Sequence, residues 1–344
     1  GKNLTYYEGT SQEVLSKIRL ELNYSTVKNI DSLKDRLYTA KTDSILVSDL
    51  IKEDLEEKYT DFSERTRVLK TIDITKDVED ITKKVSIKNT SFNVLISGMD
   101  SYGTINKTTR NDVNMIATVN PNTNKVLLTS IPRDYYVQLH GKTGYKDKLT
   151  HAGIYGINTV VQTIEDLFGI DINYYVRVNF TTVESLVNTI GPIEIYSDKA
   201  MSLDGCKYVV GTNTVNGKCA LRFARERHSY VEGDNHRIKN QQEVIKGIFN
   251  KLSKSAMVVT DYTSILDSLD GKFATNMDMK DITAFIKYEL EDITKYEILD
   301  TQVTGTGSME LTYSYPHQKL YVMFPSEQSV ESAKEYINKI SNEK

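Results

Sequence analysis

The chain has no tryptophan, only two cysteines, and nowhere about 18 apolar residues in a row. The last absence excludes a membrane-crossing helix within this sequence, since a bilayer core needs roughly 20 apolar residues to span it. Aromatic weight therefore falls on 22 Tyr and 9 Phe. There is no Cys-x-x-Cys pair. Cys206 and Cys219 flank a predicted hairpin, residues 207–210 and 215–218, turned at Gly211-Thr212-Asn213. A disulfide there suits an exporting compartment and two reduced thiols a reducing one, and the spacing leaves both open.

Catalytic templates are missing too. The chain has no Gly-x-Ser-x-Gly, no His-Glu-x-x-His and no Gly-x-x-x-x-Gly-Lys-Ser/Thr. A serine-hydrolase triad, a zinc peptidase and a P-loop enzyme are thus disfavoured. His140, His228 and His236 lack metal-ligand spacing. A basic balance is absent as well: 43 Lys+Arg face 47 Asp+Glu, a net charge of -4. With no helix-turn-helix signal, nucleic acid is not an expected partner. The chain begins at Gly1 rather than Met, which fits a fragment whose targeting segment has been removed.

What is present reads as two units, the prior for 344 residues. Residues 1–88 predict a small α/β domain. Thr10-x-x-Glu13 is a capping-box signature, a helix is expected over residues 46–57, and Val68, Lys70, Ile72 and Ile74 alternate as a strand. Residues 75–89 read as a connector, and no catalytic constellation precedes residue 90, so a spacer or interaction module is the reading for this unit.

Residues 89–344 carry the stronger signal. The apolar run 92–100 predicts a central strand covered on both faces, ending in Ser97-Gly98 and Asp100. Ligands of open α/β sheets bind at such strand ends. Strands at 115–119 and 125–131 form an expected hairpin that delivers Pro132-Arg133-Asp134. Ile157, Val160, Val161, Ile164, Leu167 and Phe168 make a helical stripe stopped by Gly169. A strand over 172–180 follows, then a helix with Thr181-x-x-Glu184 as its expected cap and a strand at 193–195. Helices around 262–269 and 280–290, a strand near 297–303 and a terminal helix over 329–340 complete the pattern. Alternating strands and helices give an α/β fold with a mixed central sheet flanked by helices.

The most telling stretch is 221–252. Alternation of Leu221, Phe223 and Arg225 predicts a strand, which would project Arg225 and Arg227 from one side. Asp234 or Asn235 can then cap a helix on which Arg237 and Gln241, four apart, share a face. Together they form a cradle for a multiply charged anion. The plainer reading is a solvated basic face paired with Glu226, Glu232 and Asp234. Use of arginine rather than lysine favours the cradle, because the guanidinium fork meets phosphate bidentately. Arg110 and Arg133 are added to it. Asp100 and Asp112, at strand edges, suit Mg²⁺ shared with phosphate oxygens, although a lone loop Asp is more often turn chemistry. Such a site suits phosphoryl transfer, with Asp134 or Asp112 as candidate acceptor of a hydroxyl proton. His151 reads as a packing or capping residue.

Phe92 to Asp100, Arg110-Asn-Asp112, Ser130-Ile-Pro-Arg-Asp134, Lys148-Leu-Thr-His151, Asn216-Gly-Lys-Cys-Ala220, Arg225-Glu-Arg227 and Asp234-x-x-Arg237-x-x-x-Gln241-Gln242 follow one another in this order. The set resembles the LytR-CpsA-Psr family from about Phe92 to the C-terminus, and residues 1–88 resemble the accessory domain of its capsule-type CpsA members. Departures are Asn111, Tyr136 and Asn188, where other members often carry Ser, Arg and Asp. The resemblance implies a membrane-anchored enzyme on the extracytoplasmic face of a Gram-positive cell. It would move a glycopolymer, with capsular polysaccharide the expectation, from undecaprenyl pyrophosphate to peptidoglycan through a phosphodiester, with Mg²⁺. It implies metal-linked acids at Asp100 and Asp112, and a pyrophosphate-binding set of Arg110, Arg133, Arg225, Arg227, Arg237 and Gln241. A lipid pyrophosphatase would use the same cradle, and a DNA-binding attenuator is disfavoured by the acidic balance.

Overall fold

The computed structural model describes residues 2–7, 12–16, 18, 22–72, 79–99, 105, 109–230, 234–254, 265, 268–269, 271–283 and 296–344. Asp100, Thr10 of the expected capping box, and most of the expected helices at 262–269 and 280–290 lie outside them.

The N-terminal residues form a three-stranded parallel sheet from β1 (Asn3–Tyr7), β2 (Asn23–Val27) and β3 (Ser44–Leu46), in the order β2-β1-β3. Helices α1 (Gln12–Ser16), α2 (Ile30–Tyr38), α3 (Asp49–Lys58) and α4 (Phe62–Arg65) accompany it. Asn29 starts α2 by accepting the Asp31 N–H, and Ser48 starts α3 by accepting that of Ile51. Tyr7, Ile30, Leu33, Leu55 and Phe62 bury together, and Tyr315, from far down the chain, completes their cluster. Of the strand expected at 67–74, residues 67–72 are irregular, with Val68 and Leu69 exposed, and 73–74 lie outside the described residues.

The larger sheet begins with β4 (Phe92–Gly98), β5 (Val113–Asn120) and β6 (Lys125–Ile131). The short pair β7 (Tyr136–Val137) and β8 (Asp147–Lys148) leads into a 3-10 turn, Leu149–Tyr155. Next come α5 (Ile157–Phe168), β9 (Tyr174–Val178), α6 (Phe180–Ile190) and β10 (Ile193–Ser197). Then follow β11 (Met201–Leu203), β12 (Cys206–Tyr208), β13 (Gly211–Val215), α7 (Gly217–Arg225) and α8 (Asp234–Lys254). The chain closes with β14 (Ala274–Thr275), β15 (Glu297–Gln302), the hairpin β16 (Gly305–Leu311) and β17 (Lys319–Pro325), and α9 (Glu327–Asn342).

The main sheet has the order β14-β9-β4-β5-β6-β15, with β4 parallel to β9 and antiparallel to β5. Alternate side chains feed its two faces. Leu95, Ile116 and Leu127 pack on α5 and α9 through Val160, Ile164, Phe168 and Ile337, while Phe92, Met115, Ala117 and Val126 pack on the opposite face, toward Ile245 of α8. Gly169, at φ 61°, ends α5 in the left-handed region that favours glycine.

Three local expectations give way. Residues 217–225 form a helix, not a strand: Gly217, Ala220 and Leu221 are buried at helical spacing, and three alternating residues were too few to distinguish the two periods. The hairpin expected between the cysteines is two separate pairings, β11 with β12 and β10 with β13. Asn179, with Thr182, caps α6 in place of Thr181 and Glu184.

Candidate active site

Strand register brings the first part of the site together. Gly98 pairs with Val113 and Asn114 with Ile131, so residues just beyond these strands meet at one sheet edge. The Asp112 N–H donates to the Gly98 carbonyl (2.8 Å), that of Asn111 to Thr150 (2.9 Å), and that of Thr150 to Arg133 (2.8 Å). The 3-10 turn lies so close beneath that a Cβ on Gly153 would stand 2.4 Å from the Thr109 carbonyl oxygen. Asn111, Tyr136 and Asn188, the departures from the family pattern, make structural bonds. Their partners are Ser97 and Asn114, the Leu311 carbonyl, and the Gly217 N–H.

Helices supply the rest. Asn216 caps α7 by accepting the Cys219 N–H at 3.0 Å, and a Cys206–Cys219 disulfide ties that first turn to β12. Arg225 is the last residue of α7, its guanidinium 4.1 Å from the centroid of the Phe180 ring at the start of α6. Arg227 lies beyond the helix end. On α8, Arg237 and Gln241 turn toward the cleft, while Gln242 donates to Ser130 Oγ (3.0 Å) and the Thr301 carbonyl (2.9 Å), anchoring the helix to the sheet.

These groups line a cleft of about 680 Å³. Arg110, Asp112, Arg133, Arg225, Arg227, Arg237 and Gln241 all border it. Asp134 is not among the lining residues: its carboxylate is 2.5 Å from Lys148 Nζ and 3.8 Å from Arg133 Nε, so it is paired with those cations. His151 is also structural, its Nδ1 2.6 Å from the buried Asp147 carboxylate. Asp147 is held below the ordinary range because the His151 charge and the Ser314 hydrogen bond outweigh burial.

Asp112 sets the electrostatics. Burial alone would raise its pKa, but Arg133, Arg110 and Arg237, with a hydrogen bond from Thr150, lower it to about 2. Arg133 Nη1 lies 3.1 Å from one carboxylate oxygen and Thr150 Oγ1 2.9 Å from the other. These guanidinium groups hold Asp112 in its ionised form. It remains suited to a hard cation, since each oxygen has a second lone pair and Mg²⁺ readily shares one or two carboxylates with phosphate. Among the described residues no group of three or more His, Cys, Asp or Glu could hold a metal, and Asp100 lies outside those residues.

Sequence reasoning missed Thr150, Phe180, Arg222 and the acids of α3. Arg222 pairs with Asp204 at 3.1 Å on the cleft wall. Asp54 and Glu57 reach Arg110 from the N-terminal unit at 2.8 and 3.4 Å. Nothing in their spacing separates such acids from an ordinary solvated helix face.

The match to known proteins runs through this site. The LytR_cpsA_psr family model covers residues 58–335. The chain belongs to that family. An Enterococcus faecalis relative named polyisoprenyl-teichoic acid–peptidoglycan teichoic acid transferase TagU is 32% identical over 255 residues, 72% of this chain and 82% of its own. The Bacillus subtilis protein of the same name is 34% identical over 231 residues, 66% of this chain and 72% of its own. The crystal structure of B. subtilis TagU superposes with a TM-score of 0.58 at 28% identity, covering 74% of this chain and 99% of that one. A Listeria innocua protein structure gives 0.60 at 29%, covering 75% and 100%. Asp54 and Glu57 precede the matched span of this LytR-CpsA-Psr chain, whereas the cleft arginines fall within it.

Proposed function

We propose that this chain transfers a glycopolymer from a polyprenyl-pyrophosphate carrier to peptidoglycan, leaving a phosphodiester link. One observation carries the reading: five arginines from separate parts of the sequence converge with Asp112 and Gln241 on one cleft at the strand ends. A diphosphate is the ligand whose charge and geometry match so many guanidinium forks. The relatives' names support the reaction class. Undecaprenyl is the carrier we assign. The relatives are named for teichoic acid, while resemblance of residues 1–88 to a capsule-type accessory domain leads us to assign capsular polysaccharide. The same proposal divides the chain into a 1–88 accessory unit and an 89–344 catalytic unit and places it outside the cytoplasmic membrane. Among the described residues no helix is long and apolar enough to cross a membrane, and the anchor is assigned to a segment outside this sequence.

In this mechanism Arg110, Arg133, Arg225, Arg227 and Arg237 hold the diphosphate and stabilise charge as it spreads over the equatorial oxygens. A peptidoglycan sugar hydroxyl attacks the sugar-linked phosphorus. The new P–O bond replaces that to the bridging oxygen, which departs as lipid phosphate. Phosphate oxygens, with a second pKa near 6, are far more basic than Asp112, so the hydroxyl proton is assigned to the leaving group. Mg²⁺ would be held by Asp112, with Asp100, and would supply further neutralisation of phosphate charge.

Incubation with polyprenyl-pyrophosphate-linked saccharide, with and without peptidoglycan, tests the reading. Saccharide joined covalently to peptidoglycan is expected. Release of lipid phosphate at the same rate without acceptor would make the chain a pyrophosphatase instead.

A further inference from the structure

We propose that Asp54, on α3, is a positioning residue for Arg110, so that the N-terminal unit sets the affinity of the cleft for its diphosphate. The inference rests on the reading of the cleft as a pyrophosphate site. Arg110 Nη1 lies 2.8 Å from Asp54 Oδ1, with 19% and 20% of the two side chains exposed. Glu57, which also reaches Arg110, is 53% exposed and a looser partner. Asp54 is itself held, because its second carboxylate oxygen accepts the Tyr315 hydroxyl.

Tyr315 is fully buried, its ring centroid 6.2 Å from that of Tyr7 and 5.8 Å from that of His151. Burial and the Asp54 charge keep its hydroxyl protonated, and thus a donor. Next to it, the Ser314 N–H (2.9 Å) and hydroxyl (2.6 Å) donate to Asp147, the carboxylate that grips His151. A continuous set of buried and half-buried partners therefore runs from the 3-10 turn to the Arg110 guanidinium. An arginine whose edge is held by a fixed carboxylate has given up rotamer freedom before the ligand arrives, which favours binding.

The same carboxylate also cancels charge, and the two effects have opposite signs. If charge alone counted, removing Asp54 would tighten anion binding; if orientation counts more, removal weakens it. Calorimetric titration of the chain with geranyl pyrophosphate in Mg²⁺ decides. Asp54→Ala is expected to weaken binding about tenfold, the lower end of what loss of an orienting partner costs at metal sites. Asp54→Asn, whose amide oxygen still accepts from Arg110, should restore most of the affinity. In an Arg110→Ala background, Asp54→Ala should add nothing.

Unchanged or tighter binding by Asp54→Ala, or an equal loss in the Arg110→Ala background, overturns the proposal. If Asp54→Ala does not fold, Tyr315→Phe carries the test: several-fold weaker binding supports the relay and unchanged affinity overturns it. Failure of the unaltered chain to bind, or wild-type affinity in both Arg225→Ala and Arg227→Ala, would instead remove the pyrophosphate reading, and this inference with it.

Discussion

Arg133 Nη1 donates to Asp112 Oδ2 at 3.1 Å, and the Asp112 side chain is only 5% exposed. Arg110 and Arg237 act on the same carboxylate through charge. Removing one partner of a buried ion pair typically costs about 3–5 kcal/mol, because the remaining charge is left uncompensated. Asp112→Ala should therefore lose about 3 kcal/mol in equilibrium urea unfolding at pH 7, with part of the loss recovered on adding pyrophosphate. A loss within the range of ordinary surface changes would contradict this role.

The pH dependence follows from the same group. Its folded pKa of about 2 lies below the ordinary 3.8, so ionised Asp112 stabilises the folded state above pH 4, and that contribution disappears as pH falls through about 2. The shift corresponds to a contribution on the order of 2 kcal/mol. The stability difference between the unaltered chain and Asp112→Asn should stay flat from pH 5 to 8 and shrink only below about pH 4. A difference that titrates near neutrality would contradict it.

Arg225→Ala and Arg227→Ala should each abolish measurable transfer while the far-ultraviolet circular dichroism stays unchanged. Hydrogen bonds to charged groups contribute about 1.5–3 kcal/mol, so deleting one guanidinium–phosphate bond should weaken affinity roughly 10–100-fold. Neither residue belongs to a buried apolar cluster, so the fold should persist. Normal turnover by either variant would detach the cleft from the reaction.

The Cys206–Cys219 bond closes a sequence separation of 13 and fixes the start of the helix that carries Arg225. A loop of that size predicts about 3 kcal/mol of stabilisation from restricting the unfolded chain. Cys206→Ser with Cys219→Ser should show that loss in urea unfolding, together with weaker binding of geranyl pyrophosphate. Unaltered stability would show that the rest of α7 holds the helix without the bond.

The sheet and the cleft were largely legible in the sequence, for different reasons. The run 92–98 and the 113–131 hairpin have buried faces long enough for periodicity to speak, and α5 carries its own glycine stop. Residue type and ordered motifs single out the arginines, even though alternation predicts a strand at Arg225, which sits on a helix. What stayed hidden depends on distant pairing. Thr150 reaches Asp112 only because the 3-10 turn packs against the strand ends, and Tyr315 reaches Asp54 only because its ring enters the core of the N-terminal unit. Asp134 shows the converse: a carboxylate beside an arginine in sequence pairs with Lys148 and does not border the cleft.

A crystal structure of this chain with a polyprenyl pyrophosphate tests the central claim most directly. Both phosphates should lie in the cleft, their oxygens within about 3 Å of guanidinium nitrogens of Arg225, Arg227 and Arg237, the ordinary reach of charge-assisted hydrogen bonds. A diphosphate bound on another surface, with these arginines untouched, would contradict the account.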